Sequence, residues 1–185
     1  IGGSYEDQKD MFGDLIMLLI MIIILVYIVM ASQFESFMSP FVIMFSIPFA
    51  FVGVLLGLWV TGTPLGTMGM IGILILMGIV VKNGIVLIDY TILMRERGKS
   101  VAEASVIAAK SRLRPILMTT LTTVLGMIPM AIGQGEGAEM WRSLGMVVAW
   151  GLSISTLVTL VIIPTVYASM SSWQERRALR KAAKA

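Results

Sequence analysis

Between Asp14 and Ala31 the chain reads LIMLLIMIIILVYIVMA, an apolar run unbroken by a single charge. A run of about 18 or more such residues suits the hydrocarbon core of a bilayer, which a helix crosses in roughly 20 residues at about 1.5 Å each. Lipid offers no hydrogen-bond partner to a backbone N–H or C=O, so a chain that crosses it does so as a helix or a closed barrel. Four further stretches share this character. Composition agrees: 57% of the residues are hydrophobic and only 14% charged, against roughly a quarter charged in soluble domains. The expected fold class is all-α, a polytopic membrane helix bundle of five transmembrane helices plus a short cytoplasmic surface helix.

The spans are expected near residues 14–32, 40–60, 67–95, 115–132 and 140–170. Pro40 and Pro115 suit opening turns, where a missing N–H costs nothing. Thr61 to Gly66 (TGTPLG) has turn chemistry, Pro129 is expected to bend or weaken the fourth helix, and Gly133 to Glu139 (GQGEGAE) reads as a loop. The basic stretch from Arg95 to Arg114 spaces Val101, Ala104, Ile107 and Ala108 along one helical face. That pattern predicts a surface helix near 100–111, and a charged cytoplasmic tail is expected over 171–185. The chain begins with Ile1 and a polar, acidic decapeptide unlike a signal peptide, so it reads as a C-terminal transmembrane fragment, 1–185, of a longer protein.

Lysine and arginine placement sets the expected orientation. Six basic residues fall between Arg95 and Arg114 and five between Arg176 and Lys184, whereas the other side carries only Lys9 and Arg142. The N-terminus and the turns at Thr61 and Gly133 are therefore expected outside, with Glu6, Asp7, Asp10, Asp14, Glu136 and Glu139, and the tail in the cytoplasm. Anionic lipid is the expected partner of the basic segments and nucleic acid is not, because no aromatic platform accompanies them. The chain has no cysteine and no histidine, which removes thiolate nucleophiles, imidazole bases and the commonest zinc ligands. No enzyme activity, cofactor or metal site is expected. The 16 methionines show no repeated pair spacing and read as filler.

Lys82 falls roughly 22 Å into the third span, well inside the hydrocarbon. A lysine there costs about 2.5–3.5 kcal/mol on insertion scales, which makes it a functional candidate, although a static ion pair is the plainer reading. Desolvation disfavours an ammonium and a neighbouring carboxylate favours it, so a group held between the two responds to its partner's charge. Asp89 shares its face but lies two turns away, about 10.5 Å, too far for a direct pair. No other acid lies mid-span. Thr119, Thr122, Thr123 and Gly126 share a face of the fourth span. Small and hydroxyl residues there read first as helix packing, as do Gly69, Gly72 and Gly78, and Ser153, Thr156 and Thr159 of the fifth span. A single hydroxyl relaying a proton stays open, and so does the choice between headgroup anchor and site residue for Arg112. Arg114 reads as an anchor.

The segments GIVVKNGIVLIDY from Gly78 to Tyr90, SRLRPILMT from Ser111 to Thr119 and GMIP from Gly126 to Pro129 resemble the C-terminal membrane half of resistance-nodulation-division (RND) efflux pumps. FESFMSP from Phe34 to Pro40 and Ile163–Pro164 extend the resemblance over essentially the whole chain, and the nearest likeness is to the hydrophobe/amphiphile multidrug branch. The resemblance implies a drug/proton antiporter of the bacterial inner membrane, a homotrimer working with a periplasmic adaptor and an outer-membrane channel. It further implies that Lys82 pairs with two aspartates on a helix of an N-terminal half absent from this chain and that Thr119 and Arg112 complete a proton relay; Asn83 and Asp89, in the same span as Lys82, are candidates for supporting it. The fragment alone is expected to be inactive. A membrane assembly module without a transport role and a heavy-metal-exporting branch are the alternatives.

Overall fold

The computed structural model describes residues 2–133, 135 and 137–182, without the side chains of 2–5, 8 and 174–182. Glu136, Lys184 and the side chains of the other basic tail residues, for which sides of the membrane were expected above, therefore lie outside the described residues. Six helices follow one another: α1 (Gly2–Gln33), α2 (Met38–Met44), α3 (Ser46–Thr61), α4 (Thr67–Glu96), α5 (Val101–Ile132) and α6 (Ala138–Ala182). Among the described residues five segments are long and apolar enough to cross a membrane, namely Lys9–Gln33, Met38–Thr61, Thr67–Glu96, Val101–Ile132 and Ala138–Trp173. The second combines α2 and α3. Pro48 cannot donate to the carbonyl of Met44, and the chain breaks at Phe45, whose N–H reaches Phe41 O and Val42 O at 3.2 Å each. The Ser46 hydroxyl caps the break by donating to Ile43 O at 2.6 Å.

No separate surface helix stands before the fourth span. The stretch expected at 100–111 is the first third of α5, which runs unbroken through Pro115 and Pro129. A capping box starts it: the Glu103 N–H donates to Ser100 Oγ at 3.3 Å while the Ser100 N–H donates to Glu103 Oε2 at 3.4 Å. The small face read as membrane-facing is turned onto protein instead, with Ala104 and Ala108 fully buried and Val101 and Ala108 in the core. Packing of that face outweighs the one backbone bond that Pro115 removes. At 32 residues α5 is roughly 48 Å long, more than the hydrocarbon needs.

α6 is the hub, packed against α3, α4 and α5. Contacts made from Gly69 to Ser143, Gly72 to Leu144 and Val147, Gly151 to Leu76, and Gly84 to Ile163 advance together along both chains, so α4 and α6 lie parallel. α3 and α5 run antiparallel to α6: Gly57 meets Trp150 and Gly53 meets Ile154, while Gly145 meets the backbone of Met127 and Ala131. Glycine here removes the side chain that would hold the backbones apart. A Cβ on Gly151 would overlap Leu76 and stand 2.8 Å from Val54 Cγ2. Both ends of α4 are tied to α6, since the Gly66 N–H reaches Ser143 Oγ at 3.4 Å and Arg95 Nη1 donates to Ser171 Oγ at 3.0 Å. The turn after α3 closes on Gly62, whose φ of 62° is the left-handed geometry of a helix C-terminus. α1 stays at the periphery against α2 and α4, with only 6% of its apolar window buried.

Overpacking a close seam costs about 1–3 kcal/mol, so Gly151→Val in the full-length protein is expected to lower its thermal unfolding midpoint in detergent by several degrees. Ser155 Oγ and Thr159 Oγ1 are buried without a hydrogen-bond partner among the described residues. Removing an unpaired buried hydroxyl is neutral or stabilising, so Ser155→Ala and Thr159→Val are expected to leave the same midpoint unchanged or raised.

Candidate functional site

Lys82 sits at the middle of α4, roughly 22 Å from Thr67 and 21 Å from Glu96 along the axis. It is exposed, on an open strip of the helix with Ile75, Gly78, Asp89 and Leu93. The strip's spacing of three, four and seven residues keeps one face outward while the opposite residues, Leu76, Val80 and Leu87, are fully buried. Neither Lys82 nor Asp89 has a hydrogen-bond or ion-pair partner among the described residues. The lysine stem is too short to bring the ammonium from mid-helix to either interface. Asn83, its neighbour in sequence, turns the other way and is 8% exposed.

On α5 the threonines divide by face. Thr119 and Thr122 are exposed and Thr123 half-buried. Their hydroxyls donate within their own helix: Thr119 to Pro115 O at 3.2 Å and Ile116 O at 3.0 Å, Thr122 to Met118 O at 2.8 Å, and Thr123 to Thr119 O at 2.9 Å. Thr120 is buried and its Oγ1 lies 3.1 Å from Thr156 Oγ1 of α6. The hydroxyl of this turn that bonds across to α6 is thus that of Thr120, while Thr122 is exposed and Thr123 half-buried, bonding only within α5. Gly69 and Gly72 lie in the α4–α6 seam, whereas Gly78 and Gly126 are exposed, and a Cβ on either would meet nothing within 4 Å. Both fall on the open faces that also carry Lys82 and Thr119, so neither marks a close helix seam.

Arg112 is the one relay candidate held by another helix. Its guanidinium carbon stands 4.7 Å from the centroid of the Tyr90 ring on α4, a cation–π contact worth about 0.5–1 kcal/mol when exposed and about 2 kcal/mol when desolvated. Its Nε is buried without a hydrogen-bond partner among the described residues. Lys82, Arg112 and Thr119 make no direct bond to one another. Sequence alone does not single out Tyr90, and it reads Thr156 as a packing residue without its partner; pairing Tyr90 with Arg112 and Thr156 with Thr120 requires knowing how α4, α5 and α6 align.

The family model described as AcrB/AcrD/AcrF matches residues 1–171. The chain belongs to the AcrB/AcrD/AcrF family of resistance-nodulation-division membrane transporters. It is 41% identical to the swarming motility protein SwrC of Bacillus subtilis (strain 168) over 177 residues, 95% of this chain and 17% of that protein. It is 39% identical to the multidrug resistance protein MdtC of Proteus mirabilis (strain HI4320) over 153 residues, 80% of this chain and 15% of that one. The crystal structure of a heavy metal efflux pump matches with a TM-score of 0.82 at 31% identity, over 91% of this chain and 16% of the pump. The chain thus spans about a sixth of these relatives, whose names speak of swarming motility, multidrug resistance and heavy metal efflux, so family membership reaches the transporter superfamily and stops short of a branch. The family is one of transporters, not enzymes. Among the described residues no three His, Cys, Asp or Glu side chains gather where a metal ion could be held.

Intramembrane hydroxyl bonds between helices average about 0.6 kcal/mol in double-mutant cycles. Thr120→Val combined with Thr156→Val is expected to show a coupling of that order in the unfolding of the full-length protein, and additive effects would mean the two hydroxyls do not bond.

Proposed function

We propose that this chain is part of the membrane domain of a proton-driven RND exporter, in which Lys82 is the cationic arm of a proton relay completed by Thr119 and Arg112. The observation that carries the reading is an ammonium at mid-membrane depth, on an open helix face, without an anionic neighbour among the described residues. Keeping it charged in hydrocarbon is costly, and a carboxylate from a part of the protein outside this chain relieves that cost. Protonation of that carboxylate discharges the pair, and the change of charge biases the packing of α4 against its neighbours. Asp89, on the same strip, and the exposed Thr119 lend polar groups to the open faces. The basic end of α4 and the C-terminal part of α6 come together at Arg95 and Ser171, which supports a cytoplasmic position for that end and a periplasmic one for the other.

The cargo has two readings. The likeness to a heavy metal efflux pump in three dimensions favours a metal-exporting transporter, and the MdtC likeness gives the multidrug reading comparable sequence support. In either case the residues that would select cargo are outside this chain, as are trimer contacts, an adaptor and an outer-membrane channel. An assembly module without transport is the reading of another class, and it requires Lys82 to be replaceable.

Lys82→Met in the full-length protein is expected to reduce export to the level of cells lacking the transporter, with the amount of membrane-inserted protein unchanged. Efflux of ethidium and of Zn²⁺ measured side by side distinguishes the drug and metal readings, and undiminished export of both by the variant would leave Lys82 a static residue.

A further inference from the structure

The Arg112 guanidinium has five N–H donors, and its central carbon lies over an aromatic ring, 4.7 Å from the centroid, with no ion pair among the described residues. Its Nε is sealed from solvent with no acceptor, and no described residue hydrogen-bonds to its two terminal nitrogens, which unlike Nε are not among the buried unsatisfied atoms. The group is therefore held by the ring beneath it, with the terminal nitrogens left without a partner among the described residues. An arginine on a long flexible stem has many rotamers, and a ring that occupies one of its faces removes most of them. Tyr90 is itself half-buried, in α4, among the residues packed against the core. It lies two helical turns beyond Lys82 and next to Asp89 in sequence, so α4 carries both the lysine and the ring that fixes the arginine of α5.

We infer that Tyr90 is a positioning residue of the relay: its ring fixes the Arg112 guanidinium so that the terminal N–H groups face the path along which the proton or its carboxylate partner lies. The inference rests on the relay proposed above and adds to it a residue that does not titrate in the cycle. A movement of α4 carries the ring and hence the guanidinium with it, linking the setting of Arg112 to that of Lys82 through one helix. The phenol hydroxyl is not needed for this. The ring face is.

The test uses the full-length protein in proteoliposomes with an imposed pH gradient, following efflux of ethidium or Zn²⁺, whichever it exports. Arg112→Ala is expected to lower the maximal rate at least tenfold. Tyr90→Leu, which keeps apolar bulk and loses the ring face, is expected to lower it about fivefold, with the half-saturating probe concentration unchanged. Tyr90→Phe is expected to stay within twofold of the unaltered protein, and Tyr90→Trp, of different shape but with the strongest ring face, to recover most of the loss. A full rate in Tyr90→Leu together with a low rate in Arg112→Ala overturns the positioning role and leaves the relay standing. A full rate in both overturns the relay and this inference with it. If Tyr90→Trp is as impaired as Tyr90→Leu, shape rather than the ring face matters, and the inference fails.

Discussion

The close approach of α6 to three other helices is the constraint on which the rest of this bundle depends. In lipid no hydrophobic force drives one helix against another, and association rests on van der Waals contact between well-matched surfaces. Gly53 and Gly57 of α3, Gly69, Gly72 and Gly84 of α4, and Gly145 and Gly151 of α6 lie where a Cβ would strike a neighbour. They allow large side chains such as Leu76, Trp150 and Ile163 to settle against bare backbone. α1 has no such seam with α6 and remains at the edge, and its exposed Ile, Leu and Met residues are at home in hydrocarbon.

On that frame α4 presents two contrasting faces. The side toward α6 is dry and tightly packed, with Leu76, Val80 and Leu87 fully buried, and the side away from it carries Lys82 and Asp89. A lysine is tolerable at this depth only if something polar meets it in the complete protein. The polar residues of α5 follow the same division, with Thr120 turned inward to Thr156 and Thr119 and Thr122 turned outward. Architecture and candidate chemistry thus occupy opposite sides of the same two helices.

Much of this was legible in the sequence because hydropathy is a one-dimensional property. The five spans, the turn at Gly62 and the depth of Lys82 follow from run lengths and from the rise of a helix. What escaped was whatever depends on the identity of a neighbour. Val101, Ala104 and Ala108 form an apolar face, but their spacing is the same whether the face meets headgroups or the protein core, and only packing decides. Gly72 and Gly78 are the same residue in the same helix, six residues and hence about 240° apart around its axis, and one is sealed while the other is open. Tyr90 gained meaning only once α5 laid Arg112 upon it. The break at Phe45 is a local effect of Pro48 that the surrounding hydrophobicity concealed.

The fastening of α4 at both extremities has a mechanical corollary. With Gly66 held by Ser143 near one end and Arg95 by Ser171 near the other, the two parallel rods resist sliding lengthwise past each other, since a piston stroke would break both fastenings at once. Any displacement begun by a change of charge at mid-length is therefore channelled into tilting or bowing, or into movement of the pair as one stiff beam. A beam of that kind delivers its motion at its tips, at the surfaces of the membrane, rather than at the depth where the charge changed.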